Sequence, residues 1–291
     1  MNKKTITKAA FILLAAVNIC WACGCGKSLP TSPPVNTDAN SIDAILKQLN
    51  QKTKELQSYQ CQIEYLFSQP LFESETLRTG DLYYQRFGKK SKLRINFQTL
   101  KQDTEKEQKY IEQYIILDDA RLPDVDYKFD GVWLVHIDYQ IKTVKCHQLA
   151  QSAEPNESVD AFDLVSRNFP MVGFTQADDL QKEFEITLAK PEQGKTEDLI
   201  GLHLKVKPDS SYKDDYKSID FWIDKELLLP AKIIAVSTED DIYQIKFVKP
   251  IINKKLSEKI FDFHIPRGFD RPEIIPLEKK AQAVQPTEAA P

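Results

Sequence analysis

A two-residue period recurs along most of this chain and constrains its fold more than any other feature. In "SYQCQIEYLF", Tyr59, Cys61, Ile63, Tyr65 and Phe67 fall on one side, and Ser58, Gln60, Gln62 and Glu64 on the other. "KLRINF" sets Leu93, Ile95 and Phe97 against Lys92, Arg94 and Asn96, and "VWLVHID" lines up Trp133, Val135 and Ile137. "GLHLKV", "SIDFWID", "PAKIIAV" and "IYQIKFV" repeat the pattern, with turn signals at Thr79-Gly80, Asp130-Gly131 and Asp240-Asp241. About ten strands with one apolar face and no β-α alternation imply an antiparallel sheet. A sheet of that size has to curl strongly or close on itself. The expected class is α+β: a strongly curved antiparallel sheet, an incomplete β-barrel, whose apolar face is covered by an N-terminal helix and a two-helix lid.

The covering helices are read from a change of period. In "NSIDAILKQLNQKTKELQ", Ile42, Ile45, Leu46 and Leu49 follow helical spacing and Leu56 extends the face, with Asn40 as cap and Asp43 in the first turn. Mid-chain, Ser158 caps a short helix carrying Phe162 and Val165 that Pro170 ends. Thr175 with Asp178 forms a capping box for a second.

Ahead of this body lies a leader. Lys3, Lys4 and Lys8 precede the unbroken apolar run Ala9 to Val17, and three cysteines follow within "NICWACGCG". A basic start, a short apolar stretch and then a cysteine after small residues is the pattern of a bacterial lipoprotein signal. Cys25, preceded by Ala22, Cys23 and Gly24, is the expected lipidation site. Cys23 is the alternative, although bulky Trp21 stands two residues before it. Neither is an ideal processing site, so a plain cleaved signal or an uncleaved anchor stays open. The spacing of the cysteines suits a C-x-x-C metal or redox pair poorly, since no supporting fold surrounds them.

The expected organisation is a signal over residues 1–25, a flexible proline-containing tether over 26–40, a folded domain over 41–270, and a disordered Pro/Ala/Glu-rich tail over 271–291. The formal net charge is −4, and loss of the three leader lysines makes the remainder more acidic still. An acidic body with no basic cluster excludes nucleic acid as a partner and electrostatic adhesion to anionic headgroups. Cys61 and Cys146 are read as small buried hydrophobes, with a disulfide between them left open. No G-x-S-x-G, H-E-x-x-H or P-loop is present, and His136, His147, His203 and His264 stand apart from any metal-ligand spacing. No enzyme activity, metal or cofactor is expected.

Several stretches resemble the LolA/LolB superfamily of envelope lipoprotein carriers, on the carrier side. "GDLYYQR" followed by "KLRINF" is similar to its second and third strands. "FDGVWLVHIDYQIKTV" resembles a strand-turn-strand after a D-G turn, and "NKKLSEKIFDFHIPRGFD" resembles its closing F-x-F-x-x-P-x-G pattern. The resemblance implies an incomplete barrel around an apolar cavity that takes the acyl chains of a lipoprotein. The difference expected is the anchor, because the family's soluble carrier has none.

Combined with the alternation, the resemblance nominates Tyr65, Phe67, Leu82, Tyr84, Ile95 and Phe97 as cavity lining, and with them Trp133, Val135, Phe221, Ile223, Ile245 and Phe247. The competing reading is that the same residues fill a packed core. Arg86, closing the G-D-L-x-x-x-R stretch, is implied to latch the lid, against an ordinary solvated arginine. Phe162, Leu164, Val165 and Phe169 are the lid's gate hydrophobes, or the packed face of a helix. The expected partners are lipid or lipoprotein acyl chains and the membrane through the anchor. The other reading is a non-enzymatic module that senses a protein partner in the envelope. The expected place is the periplasmic side of the bacterial envelope. Gly26 after Cys25, where an aspartate would favour the inner membrane, leans toward the outer one.

Overall fold

The structure, a computed structural model, describes residues 41–88, 90–118, 131–151, 177–189 and 198–277. The leader with Cys23 and Cys25, the tether, and the lid residues Phe162, Leu164, Val165 and Phe169 lie outside the described residues.

Helix α1 spans Ile42–Glu55 and buries Ile45, Leu46 and Leu49, the stripe that the spacing marks. Its N-cap is Ser41, in extended conformation, whose Oγ accepts from the Ala44 N–H at 3.2 Å. The sequence reading assigned that role to Asn40, one residue too early. Leu56 closes the helix as C-cap.

Twelve strands follow among the described residues: β1 (Ser58–Gln69), β2 (Ser74–Phe87), β3 (Lys90–Gln102), β4 (Gln108–Asp118), β5 (Val132–Asp138), β6 (Thr143–Ala150), β7 (Phe184–Leu188), β8 (Leu199–Val206), β9 (Tyr216–Asp224), β10 (Pro230–Ser237), β11 (Ile242–Ile252) and β12 (Glu273–Ile275). A second helix, α2 (Ala177–Glu183), runs straight into β7. Hydrogen-bonded neighbours follow the order β12-β6-β5-β4-β3-β2-β1-β11-β10-β9-β8-β7. Most neighbours are consecutive in sequence and joined by short turns, as expected of an antiparallel sheet. The exceptions are β1, which lies beside β11, and β12, which returns to pair parallel with β6, Ile274 opposite Cys146.

Two sequence expectations change here. Thr79-Gly80 is not a turn but the middle of β2, where the Thr79 and Thr99 hydroxyls bond at 2.6 Å. A Cβ on Gly80 would sit 1.9 Å from the Asn96 carbonyl oxygen, so glycine is there because the β3 backbone passes close by. The folded body also extends past Asp270, since β12 and the Leu277 N–H, which donates to Gln148 Oε1 at 3.1 Å, belong to the ordered chain.

The described chain divides into two compact units. The first holds 41–56, 65–76, 177–189 and 198–247, and the second 57–64, 77–88, 90–118, 131–151 and 248–277. In the first, α1 lies against α2 and β7. In the second, Phe263 with Tyr139, Ile265, Phe269 and Ile274 closes over a core of Ile115, Leu117, Trp133, Val135, Ile137, Val144 and Cys146.

Candidate functional site

In the first unit, register decides which side chains share a surface. Directly paired antiparallel residues point to the same face. Leu202 pairs with Phe221, Phe221 with Ile233, and Ile233 with Ile245, giving one apolar row across β8 to β11. The next row runs Ile186, Leu204, Ile219, Ala235 and Tyr243 on the same face. Ile223 and Phe247, two residues along their strands, join it. Phe67 stacks on Tyr243 with centroids 4.9 Å apart, which brings it and Tyr65 to this face. Thus all six cavity nominees in this unit, Tyr65, Phe67, Phe221, Ile223, Ile245 and Phe247, lie on one side. The last four are buried, while Tyr65 and Phe67 are half-buried. Tyr216 meets Tyr243 edge-on at 6.4 Å, and burial followed by the neighbouring Tyr243 and Tyr65 pushes its hydroxyl pKa up. The opposite face carries Trp222, packed over Gly201, and the His203 Nδ1–Asp220 Oδ1 pair at 2.6 Å. Beside the sheet, Ile42, Asp43, Gln181, Phe184 and Ile186 line an open cleft of about 320 Å³, bridged by Gln181 Nε2 donating to Asp43 Oδ1 at 2.7 Å.

In the second unit the six nominees do not share a face. Ile95 pairs with Tyr114 and Tyr114 with His136, whereas Ile115 pairs with Val135 and Leu117 with Trp133. Ile95 and Phe97 therefore lie opposite Trp133 and Val135. Leu82 and Tyr84 alternate with Asp81, whose Oδ2 accepts from Gln98 Nε2 at 2.7 Å on the Arg94 side of β3, so they fall with Ile95 and Phe97. Trp133 and Val135 belong instead to the core that Phe263 closes, and cannot line one cavity with Ile95 and Phe97. The physical reason is β5 itself, which is apolar on both faces: Val132, Trp133, Leu134 and Val135 are all buried.

The Ile95–Phe97 face ends in a charged cluster that the sequence reading missed. Glu112, 4% exposed, accepts from the Tyr114 hydroxyl at 2.9 Å and from His136 Nε2 at 2.8 Å, and pairs with Arg78 Nη1 at 3.3 Å. Tyr114 stacks flat on His136 at 4.4 Å and meets Phe97 edge-on. Burial pushes the Glu112 carboxyl up, but the His136 hydrogen bond, the Arg78 charge and the Tyr114 hydroxyl outweigh it and leave its pKa below the ordinary value. The arrangement holds a charge in an apolar setting. A signal for it existed in β4, where Glu112, Tyr114 and Ile116 alternate on one side.

Arg86 is half-buried, and its backbone N–H donates to the Gln57 carbonyl at 2.8 Å. The lid it was expected to latch lies outside the described residues. A different arginine fastens a segment visibly. Arg94 donates through Nη1 to the Ile260 and Asp262 carbonyls at 2.7 and 2.9 Å, through Nη2 to Gln113 Oε1 and through Nε to Asn96 Oδ1. It ties the chain before Phe263 to β3 and β4. Cys61 and Cys146 are free and buried, and burial pushes both thiols up to about 12, so they behave as apolar side chains. Among the described residues, no three His, Cys, Asp or Glu are grouped as metal ligands.

No protein-family model and no curated protein matches the chain. Among solved structures it is similar to a DUF1329 family protein from Desulfovibrio piger, at 13% identity over 76% of this chain and 97% of that one, with a TM-score of 0.39. It is also similar to a LolA superfamily protein from Nitrosomonas europaea, at 14% identity over 76% and 97%, with a TM-score of 0.30. A third is the complex of MucA and MucB from Pseudomonas aeruginosa, at 10% identity over 75% and 59%, with a TM-score of 0.38. The second bears the name of the superfamily that the sequence motifs resemble.

Proposed function

We propose that this chain is a non-enzymatic protein of the bacterial envelope that holds a lipid or lipoprotein acyl chain against the apolar face of the first unit. The supporting observation is one-sidedness: six nominees share a face, four buried and two half-open aromatics at one end. An acyl chain laid there withdraws methylenes from water at about 0.8 kcal/mol each, and the half-open aromatics give it an entrance. In this reading the leader is removed and Cys25, or else Cys23, carries lipid. Phe162, Leu164, Val165 and Phe169 form the lid, Arg86 latches it, and the outer membrane is the favoured location.

The test uses protein starting at Ser41 and a long-chain fluorescent acyl probe. Saturable one-to-one binding is expected, together with lipid extractable from the purified full chain. Phe67→Asp, at a half-buried position, should weaken binding at least about tenfold through carboxylate desolvation while the far-ultraviolet spectrum is unchanged. Absence of both saturable binding and extractable lipid would reject the reading. A protein partner would then be the better account, and one observation favours it: Leu82, Tyr84, Ile95 and Phe97, like Phe221, Ile223, Ile245 and Phe247, are at most 8% exposed, as in an ordinary packed core.

A further inference from the structure

The β1–β2 hairpin ends in a single 3-10 turn, Pro70–Phe72. Leu71 is 83% exposed and Phe72 70% exposed, more than any other large hydrophobic among the described residues. The turn itself does not require them. Pro70 presets its first φ, and Glu73, in the left-handed region at φ 49°, closes it by donating its N–H to the Pro70 carbonyl at 3.2 Å. Polar residues would serve the reversal equally well, so these two side chains are displayed on a rigid tip at the expense of solubility.

We propose that this tip is a wedge that enters the surface of a lipid bilayer of zwitterionic headgroups. Two adjacent side chains on a convex tip offer far less area than the roughly 1,000 Å² a stable protein interface needs, whereas a bilayer requires no complementary pocket. Charge selects the kind of bilayer. Ser58 to Leu77 contains no lysine or arginine, while Glu73 and Glu75 flank the tip. The Gln69 side chain reaches Asp241 at 3.4 Å, which brings the Glu239-Asp240-Asp241 turn alongside, where Lys217 pairs Asp240 and leaves Glu239 and Asp241 as the acidic pair. The same acidic field shows at Tyr243, where burial and then Asp241, Glu239 and Asp215 push the hydroxyl pKa up. An anionic surface would repel this rim. The wedge rests on the membrane-tethered reading for its proximity to a bilayer, and it places bilayer contact on the strand whose Phe67 edges the acyl-binding face.

The test reconstitutes the lipidated protein without its leader, carrying Phe72→Trp, in phosphatidylcholine vesicles with brominated acyl chains. The spectrum of the wild-type protein, with Trp133 and Trp222, is subtracted. The added emission should be blue-shifted and quenched by bromine. Replacing half the lipid by phosphatidylglycerol should reduce the quenching, and a further Leu71→Glu change should abolish it. Unquenched emission at the wavelength of a water-exposed indole overturns the proposal. So does quenching that is equal or stronger on the anionic vesicles, or that survives Leu71→Glu. Uptake of the acyl probe is measured on the same samples. Uptake without quenching removes the wedge and spares the acyl-binding reading, and quenching without uptake does the reverse.

Discussion

Glu112 shows how much a single residue depends on its neighbours. A carboxylate that is 4% exposed is costly unless it is paired, and here two hydrogen-bond donors and the Arg78 charge pair it. Its folded-state pKa lies below the ordinary 4.5. Between that depressed value and 4.5 the native state binds fewer protons than the unfolded chain, so stability rises with pH across this window. The contribution is complete above the unfolded value and is lost as pH falls through the folded one. Glu112→Gln should therefore cost about 1–3 kcal/mol at pH 7, with His136 and Arg78 left facing a neutral amide. The difference between variant and wild type should shrink as pH drops below 4.5. Urea midpoints at pH 7 and pH 3 measure it, and a variant deficit that is the same at both pH values would refute this account.

At the scale of elements, alternation made β1, β3 and β8 to β11 legible, because each has one face that is largely apolar and one that is largely polar. It failed for β4, whose Ile115, Ile116 and Leu117 are buried on both faces and so carry no period. It failed also for β12, three residues between Pro272 and Pro276. The site suffered from a subtler gap. Period two says which residues of a strand share a face but not which faces of neighbouring strands coincide, and a one-residue slip exchanges them. That is why Trp133 and Val135 were grouped with Ile95 and Phe97, while the first-unit nominees fell together. Gly80 was misread for a related reason: glycine within a strand marks either a turn or a close backbone approach, and only β3 tells which. The approach is to backbone atoms that cannot rotate away, so Gly80→Ala should cost about 2–4 kcal/mol and loosen β2–β3 pairing. Gly201→Ala, whose Cβ would meet the Ala189 methyl and the Trp222 ring at 2.8 Å, should cost less because its nearest atoms lie farther off than the 1.9 Å of the Gly80 approach. Chemical-denaturation midpoints for the pair decide it, and a milder effect at Gly80 than at Gly201 would contradict the argument.

Across the whole molecule, each unit is assembled from separated pieces of chain, so neither is a segment that could be cut out. The first takes strand ends at 65–76 from within the second's sequence, and the second waits for 248–277 to complete its core. Phe263, Phe269 and Ile274 reach Trp133 and Val135 across more than a hundred residues of sequence, held by the Arg94 bonds to Ile260 and Asp262 and by β12 on β6. Such late, long-range closure is slow to form and leaves the core open until the C-terminal segment arrives. It also gives the position of the true C-terminal boundary a measurable consequence. If the folded domain ended at Asp270, as composition alone suggests, truncation there would leave stability unchanged. With β12 in place, the same truncation strips three paired residues from β6, removes Ile274 from the core and frees Gln148 from the Leu277 N–H. The expected loss is about 1–3 kcal/mol. Faster amide exchange should appear in Lys145 to His147, opposite the missing strand, while β8 and β9 in the other unit keep their protection. Unchanged exchange in β6 after truncation would mean that β12 adds nothing to the closure.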